Sequence, residues 1–451
     1  MMKKRLIGFI LITLMLLSVG SVFAGGRPDT FRGQTLVIGN WWEDWNVNTY
    51  KPRTEIESQQ NEHRRRIQRD NNFLMQTKVI AGWGEMLETT VTNIMSGNRN
   101  VHAYWLSPDW AYTLYKQGLL APLNTGTMAA TLKNRTEVAM QRTAYNAMIE
   151  ELFTFNGKQY GLSIGPGGGS WSGSGVYFNK RILREAGIDP DLPYNMQRDN
   201  TWTWAAFLDL CKRLTRDINN DGIIDIWATT TDHQQSILEM LVFSNNAEFV
   251  SRDPRTGRFA NATNTPAFIE ALQFYRRLMD EGVMKPIPEG SNWDWYWSEF
   301  YDGRIAFMLE PEWRRGQMTD MKDDWGFVFP PRGPRASQLR MGTSENVLVI
   351  PAFFNQAEVD AILRAVDLWY VPITNNWKEG HYPFFRDRRA VDETMERMRN
   401  PRNMVFRNNQ MIPGLNTGDF AWQIAWVDGD PAQLVEANRL TWNALISDAN
   451  E

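Results

Sequence analysis

Apolar residues along this chain come in two rhythms, short runs and helical stripes. Thr35–Gly39 (TLVIG), Lys78–Ala81 and Val101–Trp105 are short apolar runs and predict strands. Between them, a polar helix is expected over Thr54–Asn71. A second follows Trp83, with Leu87, Val91 and Ile94 on one face and Gly97 placed to end it. Strand alternating with helix predicts an α/β layer, as in a doubly wound sheet. In such sheets ligands bind beyond the carboxyl ends of the strands. Asn40-Trp41-Trp42-Glu43-Asp44 follows the first strand directly, and Trp105 and Asp109 sit at the end of a later one. These residues are candidate ligand contacts; a turn with incidental Trp is the competing reading of the first group. The Arg64-Arg65-Arg66 run reads as a solvated helix face.

The pattern breaks at Gly157–Lys180 (GKQYGLSIGPGGGSWSGSGVYFNK). An apolar run ends at Ile164, a Gly/Ser segment follows, and Val176–Phe178 resumes the apolar pattern. Glycine leaves such a backbone free to adopt positive φ. The segment reads either as a pivoting crossing between two lobes or as a long surface loop. Beyond it, Asn179 and Lys180 open a helix that stops at Gly187. Thr203 caps one that runs to Leu214, and Pro266 starts one that Gly282 ends. Gly326–Phe329 and Val347–Ile350 are further strands, and 395–451 is largely helical.

Composition sharpens this picture. The 451 residues suit two domains better than one, and the ordinary apolar and charged fractions do not suggest disorder. A net charge of −4 argues against nucleic acid as a partner. Twenty tryptophans are the anomaly, many in polar, turn-like contexts where an indole serves as a flat contact surface. Lys3, Lys4 and Arg5, an apolar run from Leu6 to Leu17, and Val22-Phe23-Ala24 together form a secretory signal peptide cut after Ala24. No Cys follows that run to carry a lipid anchor. The single cysteine, Cys211, falls on an apolar helix face as a buried free thiol.

The sharpest short motif is Asp217–Asp225 (DINNDGIID). Asp217, Asn219, Asp221 and Asp225 stand at positions one, three, five and nine of an EF-type loop, with Gly222 at six and Ile223 at seven. Position twelve is Ala228, where the usual bidentate Glu is missing. The loop is either a structural Ca²⁺ site or an ion-free Asx/Gly turn. Other chemistry is not signalled. The four histidines lack metal-protease spacing, Gly165-Pro166-Gly167 fails the dinucleotide pattern at Ser170, and no G-x-S-x-G elbow occurs.

The order of these signals resembles the extracellular solute-binding proteins of family 1, the maltose-binding-like receptors of ABC importers. The resemblance is carried by Trp105–Leu123, the crossing Lys158–Lys180, Ala186-Gly187-Ile188 with Thr201–Trp204, the acidic Asp217–Asp225 insert, and Phe300–Met308 with Trp313. It implies a two-lobed α/β periplasmic binding protein of type II, with each lobe a sheet flanked by helices. Residues 25–165 plus 330–372 would form the N-terminal lobe, and 166–329 plus 373–451 the C-terminal lobe. Further crossings are expected near Gly326–Pro331 and Tyr370–Asn376. It further implies an exported monomer that carries a sugar or short oligosaccharide to an inner-membrane permease. Hinge closure is the working motion. The cleft contacts it implies are the Asn40–Asp44 turn, Trp105, Asp109, Ser170, Trp171, Trp313 and Trp422. Two departures stand out. Gly167–Ser174 is longer and richer in Gly/Ser than the family pattern. Glu310 and Glu312 precede Trp313 where small residues are usual, which leaves a cationic ligand open. The competing functions are a receptor for another polar solute, a chemoreceptor ligand carrier, and a secreted glycan-active enzyme drawing an acid pair from Glu43, Asp44, Asp109 and Glu310.

Overall fold

The computed structural model describes residues 32–123, 145–165, 170, 172–231, 234–374, 376–426 and 430–451. The signal-peptide stretch and Trp171 lie outside them. The strands that build the two main sheets are β1 (Thr35–Asn40), β2 (Trp45–Asn46), β3 (Leu74–Val79), β4 (Ala103–Leu106), β5 (Ser174–Asn179), β6 (Phe307–Pro311), β7 (Trp325–Val328) and β8 (Val347–Val349). The helices that position the site are α1 (Glu55–Asn71), α2 (Met86–Met95), α3 (Pro108–Lys116), α4 (Trp204–Leu214), α5 (Trp295–Tyr301), α6 (Gln356–Tyr370) and α7 (Gly418–Trp426).

The first sheet runs β8-β4-β1-β3-β2. β1 is parallel to both neighbours, with Val37 opposite Gln76 and Ile38 opposite Ala103. Side chains alternate across it. Leu36, Ile38, Met75 and Ala103 pack with Ile362, Val366 and Trp369 of α6, whereas Val37, Tyr104 and Leu106 join the larger core. The second sheet is antiparallel, β6-β5-β7, with Leu309 opposite Val176 and Phe327 opposite Tyr177. Gly175 is required in it, since an added Cβ would come within 2.6 Å of the Val328 carbonyl. The capping signals were accurate, whereas the strand expected at Lys78–Ala81 runs instead over Leu74–Val79. Thr54 accepts from the Glu57 amide at the start of α1, and Thr203 accepts from the Ala206 amide at the start of α4. Cys211 is buried, and burial pushes its thiol well up from the ordinary range.

Two expectations need correction. The second passage between lobes does not fall at Gly326–Pro331. Arg332 and Gly333 still bond Trp202 and Ser244 of the second lobe, and Met341–Thr343 pairs with Met404–Phe406. The chain returns to the first sheet only at Val347, because Met341–Thr343 is first held in the second lobe by its pairing with Met404–Phe406. The triple-Arg run is not a uniformly solvated face either. Arg64 lies over Trp45, Trp369 and Tyr370, and Arg65 bonds the Val47 carbonyl. A helix turns 100° per residue, so neighbours in sequence point to different surroundings. Burial lowers the Arg64 guanidinium below its ordinary range.

Candidate functional site

Parallel pairing puts the carboxyl ends of β1, β3 and β4 on one edge of the first sheet, and there a tryptophan cluster forms. Trp41 meets Trp42 edge to face at 4.7 Å, Trp83 at 5.1 Å and Trp110 at 5.4 Å between ring centroids, and Trp83 lies 4.4 Å from Trp110. The outer rings are open, with Trp42 at 45% and Trp83 at 58% exposure. Asn40 is the reason the turn holds its shape. Its buried side chain accepts from the Trp42 and Glu43 amides at 2.8 and 2.9 Å, and donates to the Glu43 carbonyl at 2.9 Å. Asp44 accepts from the Val79 amide at 2.7 Å, which pins the turn to the end of β3. Asn40 and Asp44 therefore shape the site rather than line it. Glu43 stays at the surface. Partial burial raises its carboxyl, with Arg53 and Arg64 pulling it back down.

Asp109, in the first turn of α3, is a stronger candidate. Its Oδ1 is closed off from solvent and has no hydrogen-bond partner among the described residues. Burial raises its carboxyl, opposed by hydrogen bonds from Ser107 and the Trp110 amide. Asp109 directly precedes Trp110 of the cluster, and a shift of the first turn of α3 that uncovers this unsatisfied acceptor would open it to a ligand hydroxyl.

The second lobe carries its own indole surface. Trp293, Trp297 and Trp313 surround the Arg314 guanidinium at 5.9, 5.0 and 4.5 Å from their ring centroids. Trp293 and Trp313 are 66% and 47% exposed. The cation is fixed from behind. Arg314 Nε donates to buried Glu310 at 3.1 Å and Nη1 to Gln317 at 3.1 Å, while Tyr296 donates to Glu310 at 2.9 Å. Tyr177 anchors the turn that carries Trp313, donating to the Pro311 and Glu312 carbonyls at 3.0 and 2.8 Å. Glu312 is buried against Arg315. Both glutamates ahead of Trp313 are thus committed to arginines, which withdraws the opening they left for a cationic ligand. Glu310 is equally withdrawn as half of a catalytic acid pair.

Trp105 and Ser170 are corrections. Trp105 shares the α6-facing side of β4 with Ala103 and is 7% exposed, a core residue near Tyr370. Strand alternation put it inside. Ser170 is fully buried, bonded to Glu345 and to Thr343 Oγ1 at 2.6 Å, so it fastens the crossing. Trp422 is 53% exposed on α7. Five participants, Trp83, Trp110, Trp293, Trp297 and Arg314, were not among the contacts named from sequence. Trp83 and Trp110 follow strand ends as Trp41 does, a usable signal. Arg314 carried none, since its role depends on the three rings around it.

The acidic loop is exposed and closed by its own amides. Asp217 accepts from the Asn220 and Gly222 amides at 2.8 Å each, and Asp221 accepts from the Ile223 amide at 2.8 Å. Asp225 accepts from the Ile218 amide at 2.7 Å. Among the described residues no group of three or more His, Cys, Asp or Glu is arranged to hold a metal ion.

Residues 65–368, more than half of the chain, match the bacterial extracellular solute-binding proteins. The chain belongs to that family. This solute-binding protein is 22% identical over 320 residues to a binding protein of Brucella abortus, covering 69% of each. Its fold matches the ABC substrate-binding protein of Listeria monocytogenes solved with cycloalternan, at a TM-score of 0.61 and 17% identity over 92% of this chain and 99% of that one. The cyclic alpha-maltosyl-1,6-maltose binding protein of Arthrobacter globiformis gives 0.62 and 16%, over 92% and 99%. The solute-binding protein therefore has the two-lobed α/β architecture of its family. Among its described residues no helix is long and apolar enough to cross a membrane.

Proposed function

We propose that this protein is the exported capture component of an ABC importer, taking a neutral sugar or short oligosaccharide and releasing it unchanged to a membrane permease. The observation that carries the reading is one exposed indole surface in each lobe, Trp41/Trp42/Trp83/Trp110 and Trp293/Trp297/Trp313. Indole faces stack on the C–H face of a sugar ring, and the Asp109 oxygen, once uncovered, accepts a hydroxyl. A guanidinium behind the second surface disfavours a cationic ligand there, which supports neutral carbohydrate over an amine. The Listeria and Arthrobacter proteins, one solved with cycloalternan and one named for a cyclic maltosyl-maltose, are consistent with that class.

A thermal-shift screen against sugars, polyols and amino acids tests the reading. A ligand at a hundredfold excess over Kd stabilises by about 2.7 kcal/mol. A clear shift with a sugar, no turnover of that sugar, and about tenfold weaker binding in Trp83→Ala and in Trp313→Ala are expected. Sugar consumption would overturn it.

For the Asp217–Asp225 loop we propose Ca²⁺ as a structural clip, on the spacing of its oxygen ligands. The ion-free turn is favoured by the loop's own hydrogen bonds. A melting temperature lowered by EDTA, restored by Ca²⁺ and insensitive to EDTA in Asp221→Ala, is the outcome expected of a clip. An unchanged melting temperature selects the turn.

A further inference from the structure

A groove of about 1230 Å³ lies apart from both indole surfaces, and no tryptophan lines it. One wall belongs to the first lobe, where Tyr115 of α3 stacks on Phe155 at 4.0 Å and 19°. Tyr160 stands 4.9 Å from Tyr115 and extends this wall. The opposite wall belongs to the second lobe and is formed by residues 252–259 with the backbone around Ala449. The walls touch at two points. Arg252 Nη1 pairs with Glu151 at 3.1 Å, and Tyr112 Oη donates to the Ala449 carbonyl at 2.6 Å.

The charges of the groove are unbalanced. Lys116, Lys158 and Arg258 line it and are exposed, and none has a carboxylate within ion-pair distance among the described residues. Arg252, in contrast, is already paired. Arg255 is a fifth cation of the lining, and the acidic side chains there are Glu150 and Glu151 on the first wall and Glu451 on the second, so five cations face three acids. Half-buried aromatic faces next to unpaired cations suit a ligand with a flat apolar body and an acid group.

We propose that this groove is a second binding site, for a small aromatic anion whose ring packs on Tyr115, Phe155 and Tyr160 and whose carboxylate or sulfonate is met by Lys158 and Arg258. The ligand class differs from the neutral sugar of the indole surfaces, so the two sites do not compete for one solute. Because the walls come from different lobes, an occupant bridges them as the Arg252–Glu151 pair does.

The test is a fluorescence titration of the exported chain with 8-anilinonaphthalene-1-sulfonate as the probe. Saturable one-to-one binding is expected, weakened at least fivefold by Phe155→Ala and by the double variant Lys158→Ala/Arg258→Ala, and unchanged in Trp83→Ala and Trp313→Ala. Added benzoate should displace the probe, and raising the salt should weaken it. Lys158 and Arg258 are exposed, so their double variant keeps the fold, which an unchanged melting temperature checks. Non-saturable binding, binding insensitive to the groove variants, or loss of binding in Trp313→Ala would each overturn the proposal. None of these results bears on sugar capture, which is read separately.

Discussion

Removing the Glu310 carboxylate is the sharpest test of how the second indole surface is built. Glu310 is 1% exposed and its partner Arg314 8%, at 3.1 Å. Before any rearrangement the guanidinium in Glu310→Ala still has Gln317 and the three indole faces, contacts common to both proteins that cancel in the difference. What remains is a buried cation without its counter-charge, which costs about 3–5 kcal/mol. Tyr296 also loses Glu310 as an acceptor, adding about 1 kcal/mol. Arg314 recovers part of this by swinging toward solvent past half-exposed Trp313, so about 4 kcal/mol is expected. With a urea slope of about 3 kcal/mol per molar for a lobe-sized unit, the midpoint of that lobe falls by about 1.3 M. The assay is urea unfolding followed by tryptophan fluorescence. Sugar affinity should fall with it, because the swing displaces the ring contacts. The double variant Glu310→Met/Arg314→Met replaces the pair with apolar groups and should recover most of the stability, while leaving affinity impaired. A midpoint shift under about 0.3 M in Glu310→Ala, or a double variant as unstable as the single one, would refute the argument.

Other outcomes follow from the same reasoning. Asn40→Ala removes three hydrogen bonds to the turn after β1 and should cost about 2–3 kcal/mol while also weakening sugar binding. Trp42→Ala, at an exposed ring, should lower affinity with little change in melting temperature. Burial, with Arg315 and Arg399 nearby, lowers His381 from its ordinary value to about 3. The unfolded chain then binds the extra proton between about pH 6.5 and 3, so this contribution is complete above 6.5 and is lost as pH falls through that window, by up to about 1.4 kcal/mol per unit. A stability–pH slope between pH 6.5 and 4.5 that is the same in His381→Gln would count against it.

Much of the framework was legible before any coordinates. Strand and helix alternation, the caps at Thr54 and Thr203, and the indoles after the first strand are local signals, because period, capping chemistry and turn residues act within a few positions. The family resemblance drew on the order of such signals over the whole chain. Tertiary structure decided what each residue faces. Trp105 and Trp110 lie close together in sequence beside the same strand end, yet one is core and the other is part of the indole cluster, because strand alternation sends Trp105 toward α6 and the first turn of α3 sends Trp110 toward Trp41 and Trp83. Arg64 and Arg66 differ in the same way. The return to the first sheet at Val347, the gathering of Trp293, Trp297 and Trp313 around Arg314, and the groove between Tyr115 and Arg258 all depend on residues that are not neighbours in the chain. Such pairings are set by packing and pairing energies summed over the folded molecule, and no window of sequence contains them.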